Sequence, residues 1–147
     1  FIYDLLFHIF MILVSACLVG VNCAFDGRSR SHRKVLELMR TGKLIPICPE
    51  QLGGLPTPRD SAEQIKGKVI TRNGKDVTEK YVLGANEGLL IAQLVGCKKA
   101  ILKARSPSCG PEQIYDKTCP TSLIKDYGVF AKLLKKNNIE IISEDDL

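Results

Sequence analysis

The sequence predicts an α/β fold, and three observations carry that prediction. Short β-branched apolar runs alternate along the chain with amphipathic stretches of helical spacing. One strong hairpin signal interrupts the alternation. At 147 residues and 45% hydrophobic, the chain can bury one sizeable core, and it shows no internal repeat and no second domain. Strand, helix, strand, hairpin, helix, strand, helix, strand implies right-handed crossovers. The expected result is a single-domain three-layer sandwich, an open, mostly parallel sheet with helices on both faces in a Rossmann-like arrangement.

"MILVSAC" reads as the first strand, because a continuous β-branched apolar run suits a strand covered on both faces. The loop "LVGVNCAFDGRS" follows. In "SHRKVLELMRTGK", Ser31 is a candidate N-cap, Val35, Leu36 and Met39 fall at helical spacing, and Gly42 marks the C-terminal end. "LIPIC" is the second strand, and the Pro/Gly-rich "PEQLGGLPTPRDSAEQ" is expected to be loop. Asn73-Gly74 in "KVITRNGKDV" signals a hairpin. Asp76 and Glu79 fit a capping box for a helix running to about Val95, with Tyr81, Val82, Ala85, Leu89 and Ala92 on its buried face. "KKAILKA" is the third strand of the main sheet, "GVFAKLLKKNN" the last helix and "IEIIS" the last strand.

The net charge of +5 comes from Lys and Arg scattered along the chain, with no long basic run and few aromatics. That pattern favours an anionic or polar small ligand over a dedicated nucleic-acid surface. The apolar N-terminus has Asp4 but no Lys or Arg where an export signal has a basic region. Asp4 and His8 also break the run, which argues against a membrane span. Met11 directly precedes "ILVSAC", so residues 1–10 are read as an upstream or added extension and residues 11–147 as the domain. A cytoplasmic location follows as the expectation, in keeping with thiols that must stay reduced.

Six cysteines are many for this length, yet none form a CxxC pair, so zinc-ribbon and thioredoxin readings lose their usual support. In an open α/β sheet, ligands bind beyond the carboxyl ends of the strands. Cys17 ends the first strand, Cys48 ends the second, and Cys109 follows the third within "SPSCG", so all three are expected at one rim of the sheet. Cys97 precedes the third strand on the opposite edge and reads as a small buried hydrophobe. Cys23 and Cys119 lie in loops as extra ligands or ordinary loop residues. Scattered core cysteines remain the plainer explanation for any such set. Against it, Pro107 and Gly110 fix the Cys109 loop, and three protein ligands leave the open position that a catalytic metal needs, whether zinc or iron–sulfur.

Glu50 lies two residues beyond Cys48, where an extended backbone would send both side chains the same way and a carboxylate could move protons. Ser106 and Ser108 flank Pro107 and offer hydroxyls to a substrate, as Asp26 offers a carboxylate, although each also suits ordinary turn chemistry. Gly53 and Gly54 allow close backbone approach, and Arg59 is a candidate anion contact. Their spacing is neither a dinucleotide fingerprint nor a P-loop. His8 and His32 fit no metal or triad pattern.

Taken together, "SACLVGVNCAFDG", "PICPEQLGGLPTPR", "GKVITRNGKDVT" and "KARSPSCG" resemble the thiouracil desulfidase family, a bacterial family, over nearly everything from Met11 onward. The resemblance implies an oxygen-sensitive [4Fe-4S] cluster held by Cys17, Cys48 and Cys109. Its fourth iron would take sulfur from a thiolated base such as 2-thiouracil, giving uracil and hydrogen sulfide with no net electron transfer. It also implies Glu50 as proton donor or acceptor and Ser106 as a substrate-positioning group, with Asp26, Gly53 and Ser108 expected around the substrate. Two other classes stay open on residues alone: a non-catalytic iron–sulfur or zinc-binding module, and an exported, lipidated or disulfide-linked binding domain. Within the enzyme class, another thioamide or a thionucleoside is an alternative substrate.

Overall fold

Four-residue strands that are apolar on both sides need cover on both faces, and two layers of helix supply it. A computed structural model of the chain describes residues 10–116 and 119–147. The order is β1 (Ile12–Ser15), α1 (Arg33–Met39), β2 (Leu44–Ile47), α2 (Pro49–Leu52), β3 (Ala62–Ile65), β4 (Lys68–Thr71), α3 (Thr78–Leu94), β5 (Lys99–Leu102), β6 (Ile114–Asp116), β7 (Cys119–Ile124), α4 (Val129–Lys136) and β8 (Glu140–Ser143). Turns of 3-10 helix follow β1 at Ala16–Val19 and β8 at Glu144–Asp146. The extension expected over residues 1–10 falls, up to residue 9, outside the described residues.

The main sheet has the order β2-β1-β5-β8 and is parallel throughout. Because side chains alternate across a strand, Leu13, Ile47, Ala100 and Leu102 point to one face, where they meet Ala85 and Ala92 of α3 and Phe130, Ala131 and Leu134 of α4. Val14, Leu44 and Ile101 point to the other, against Val35 of α1 and Leu18. This is the expected α/β architecture.

Several local readings come out differently. A second four-stranded sheet, β4-β3-β6-β7, includes residues expected to be loop. Its strand β3 has two polar residues among four and follows a Pro-rich stretch, so periodicity does not reveal it. The Asn73-Gly74 turn does close, with Gly74 N donating to Thr71 O at 2.8 Å, but the second arm pairs only at one bridge between Ile70 and Asp76. β4 pairs instead with β3 across Lys66-Gly67. Helix α1 starts at Arg33 rather than after Ser31, because His32 stays extended, its N–H held by Leu18 O at 3.0 Å.

Helix α3 buries Tyr81, Gly84, Ala85, Gly88 and Ala92, whereas Val82 is exposed. Close approach decides this: α2 lies so near that a Cβ on Gly84 would sit 1.8 Å from Pro49 O and one on Gly53 2.0 Å from Lys80 O. The capping box expected there is an Asx turn, in which Asp76 Oδ1 accepts from Thr78 N at 2.9 Å and from Thr78 Oγ1 at 2.6 Å. Among the described residues, no helix is long and apolar enough to cross a membrane.

Candidate functional site

From β1 the sheet builds outward to β2 on one side and then to β5 and β8 on the other, so its strand order reverses between β1 and β5. The crevice beyond the carboxyl ends of such strands is where open α/β sheets bind ligands. Cys17, in the 3-10 turn after β1, Cys48, directly after β2, and Cys109, in the loop after β5, all line one cavity of about 400 Å³ at that edge. Glu50 and Ser106 line it too.

The loop carrying Cys109 is fixed by the first turn of α4. Val129 N donates to Pro107 O at 3.0 Å and Phe130 N to Ser108 O at 2.8 Å, satisfying donors that a helix start leaves free. Gly128 must be glycine here, since a Cβ would lie 2.3 Å from Ser108 O. From β3, Gln64 Nε2 donates to Pro107 O and Tyr127 O, so the second sheet holds the same loop from the other side. Ser106 Oγ accepts from Ser108 N at 3.2 Å and Cys109 N at 3.0 Å. With its oxygen so engaged, the Ser106 hydroxyl has its proton left to offer a ligand.

Glu50 reaches the cavity by a different route from the expected one. Cys48 is extended, but Pro49 opens α2 at once, so Glu50 sits in a helical first turn rather than two steps along a strand. Arg59 Nε donates to Glu50 Oε2 at 2.6 Å, with 6% and 13% of the two side chains exposed. The same guanidinium donates to Cys23 O at 2.9 Å and Thr57 Oγ1 at 3.0 Å. Burial disfavours its charge, but the Glu50 carboxylate outweighs this and holds Arg59 above its ordinary value. Tyr81, buried on α3, faces the same carboxylate; burial first and Glu50 second push its phenol upward.

Cys23, expected in a loop as an extra ligand or an ordinary loop residue, lines the same cavity. Interaction of its thiol with that of Cys17, partly offset by Cys48, pushes it up to about 11. Contact with Cys23 and then burial raise Cys48 further. Burial pushes Cys109 up to about 12, against the hydroxyls of Ser15 and Ser108, which favour its thiolate. Cys17, Cys23, Cys48, Cys97 and Cys109 are free thiols.

Three residues expected around the substrate do not line the cavity. Asp26 pairs with Arg30 at 3.0 Å and accepts from Arg28 N at 3.1 Å, which is a turn reinforced by an ion pair. Gly53 is enclosed between α2 and α3. Ser108 has no exposed surface. Cys97 is buried at the opposite edge, and Cys119 lies in β7. Sequence reasoning missed Tyr81 at the site and the pairing of Arg59 with Glu50. Only the Pro/Gly-rich setting of Arg59 hinted at the pair.

The donor set suits a thiophilic metal centre. Among the described residues, no three His, Cys, Asp or Glu side chains converge as a single ion requires. A [4Fe-4S] cluster takes each thiolate on a different iron and so spaces its ligands more widely. Ser108 Oγ, next to Cys109 in the chain, is fully buried and has no hydrogen-bond partner, an orphaned donor beside one of the three thiols. The residues therefore fit such a cluster.

Comparison with known proteins agrees. The sequence model of the family described as 2-thiouracil desulfurase matches residues 12–146. The uncharacterized protein YbbK of Bacillus subtilis (strain 168) is 41% identical over 147 residues, covering 93% of this chain and 97% of the relative. A solved structure of the [4Fe-4S]-dependent thiouracil desulfidase TudS superposes with a TM-score of 0.89 at 37% identity, covering 94% of this chain and 93% of that one.

Proposed function

This chain belongs to the 2-thiouracil desulfurase family, and we propose that it is a [4Fe-4S]-dependent desulfidase acting on a thiolated base such as 2-thiouracil. The observation that carries the reading is the arrival of Cys17, Cys48 and Cys109 from three strand ends in one cavity with Glu50 and Ser106. Those three thiols would hold the cluster. Bound there, it supplies a Lewis-acidic iron without a protein thiolate, suited to a thiocarbonyl sulfur.

The remaining steps belong to the protein. Ser106, with its oxygen committed to the Cys109 turn, donates its proton to the base and orients the C=S bond. Glu50 accepts a proton from the water that attacks the thiocarbonyl carbon and returns one to the departing sulfur. Water adds its oxygen to carbon, the carbon–sulfur bond breaks, and uracil and hydrogen sulfide leave with no electron gained or lost. Arg59 keeps Glu50 aimed into the cavity by binding Oε2. Tyr81 and the buried Arg59 guanidinium form a wall that limits bulk water around the carboxylate.

The test is anaerobic incubation of the cluster-loaded protein with 2-thiouracil, following uracil by chromatography and sulfide by colorimetry. One sulfide should appear per uracil. In Glu50→Gln the iron content and absorbance should persist while turnover falls about 10²–10⁴-fold. Full turnover in that variant removes Glu50 from the reaction, and loaded wild-type protein that releases neither product removes the reaction itself.

A further inference from the structure

We infer that the 3-10 turn after β8 positions Ser106: Glu144 and Asp145 brace residues 103–105 in the left-handed turn that delivers the Ser106 hydroxyl to the cavity. The inference rests on the proposed role of Ser106 toward the substrate. It gives a task to a buried carboxylate that the reaction itself does not use.

Strands β5 and β8 pair in parallel up to Leu102 and Ser143, so the segments that follow them emerge side by side. After β5 come Lys103, Ala104 and Arg105, which run along the cavity wall into Ser106. After β8 the chain turns sharply, with Asp145 N donating to Ser143 Oγ at 3.1 Å and Ser143 N to Asp146 Oδ2 at 2.8 Å. Glu144, in this turn, is 7% exposed and is the one charged residue so deeply buried among the described residues. A carboxylate persists in such a place when its charge is paired and its oxygens are hydrogen-bonded. Glu144 Oε1 accepts from Lys103 Nζ at 2.5 Å, and Oε2 accepts from Ala104 N at 2.8 Å. Beside it, Asp145 Oδ2 accepts from Arg105 Nη1 at 2.7 Å. From β1, Ser15 Oγ accepts from Lys103 N at 2.9 Å. Three consecutive residues are thus tied down immediately before Ser106.

Arg105 shows why so firm a hold is needed. Its φ is 64°, in the left-handed region that residues with a side chain seldom enter. Such a conformation persists where its surroundings fix it. The backbone of Arg105 bridges to Ile114, and Ser106 then opens the turn in which its Oγ accepts from Ser108 N and Cys109 N. Relaxing Arg105 to an ordinary φ would redirect the next peptide and carry the Ser106 hydroxyl off its line into the cavity. Glu144 and Asp145 do not line the cavity themselves. They are positioning residues that act through Arg105 on Ser106.

The experiment uses the anaerobically loaded full chain with 2-thiouracil, and reads turnover together with hydrogen–deuterium exchange of residues 106–110 by mass spectrometry. Glu144→Ala should keep the wild-type iron content, lower kcat about 10–10²-fold and speed exchange of that segment. Placed in Ser106→Ala, the same substitution should cost no further turnover, because it acts through the Ser106 hydroxyl. A general loosening of the fold would instead lower both backgrounds alike. Glu144→Ala with wild-type exchange, or with equal losses in the two backgrounds, overturns the inference. Because Glu144 is buried, its alanine variant can fail to fold, and Arg105, with 34% of its side chain exposed, then decides. Arg105→Gly enters the left-handed region freely, whereas the β-branch of Arg105→Val resists it, so the glycine variant should keep at least about tenfold more turnover. Similar turnover in the two overturns the inference. Failure of the underlying reading shows elsewhere: loaded wild-type protein that releases no uracil removes the reaction, and the exchange of residues 106–110 in Glu144→Ala and in Arg105→Val against Arg105→Gly then judges the brace alone.

Discussion

At the scale of single residues, the buried Arg59–Glu50 pair differs in kind from the exposed pairs around it. Its partners are 6% and 13% exposed, whereas in the Arg33–Glu37 pair they are 91% and 57% exposed. Removing one member of a buried pair strands the other, so Arg59→Gln should destabilise the protein by about 3–5 kcal/mol. Arg33→Gln should cost less than about 1 kcal/mol. Urea unfolding of the two variants checks the contrast, and equal losses would mean that Glu50 does not depend on Arg59. Cys17, Cys48, Cys109, Glu50 and Ser106 could be read from the sequence because each follows the end of a recognisable strand. Arg59 and Tyr81 could not, since they reach Glu50 from later segments whose approach only the fold determines. Asp26 and Ser108 illustrate the opposite limit: polar residues in turn-rich motifs attract a ligand reading, whereas here Asp26 braces a turn and Ser108 is buried outside the cavity lining.

At the scale of elements, the contact between α2 and α3 sets where Cys48 and Glu50 stand. It depends on glycine at both sides of the contact, with a Gly84 Cβ meeting Pro49 O at 1.8 Å. Gly84→Ala should therefore destabilise by about 1–3 kcal/mol and lower turnover by displacing α2, with melting temperature and activity as the readouts. Apolar periodicity places Tyr81, Ala85 and Ala92 on the buried face, but it also counts the exposed Val82 and gives Gly84 and Gly88 no weight. The start of α3 carries a pH signature. Hydrogen bonds from Thr78, side chain first and backbone second, hold the Asp76 carboxyl below its ordinary value. A carboxyl depressed in the folded state stabilises above its unfolded pKa of about 4, and that contribution fades as pH falls through the folded value. Asp76→Asn should thus melt earlier than wild type near neutrality, and the gap should narrow in acid below about pH 4. A gap independent of pH would rule out the carboxylate as the source.

At the scale of the whole molecule, the reversal of strand order between β1 and β5 brings thiols separated by dozens of residues to one crevice. The alternation of strands and helices was enough to foresee that edge, because parallel strands deliver all their following loops to it. The second sheet was not foreseen, because β3 is half polar and pairs through backbone groups that no side-chain pattern reports. The core beneath the site is anchored by Phe130, with no exposed surface and against Gly88, where a Cβ would lie 2.6 Å from its ring. Whether the thiols hold a cluster is settled by one comparison: iron, acid-labile sulfide and absorbance in anaerobically purified wild-type protein and in Cys17→Ser, Cys48→Ser and Cys109→Ser. About four irons and four sulfides per chain with a broad brown absorbance, lost or sharply reduced in each variant, are expected of a thiolate-held [4Fe-4S] centre. Wild-type protein that stays colourless after reconstitution with iron and sulfide, or a Cys109→Ser variant with the full complement, would contradict the three-thiol cluster and the desulfidase built on it.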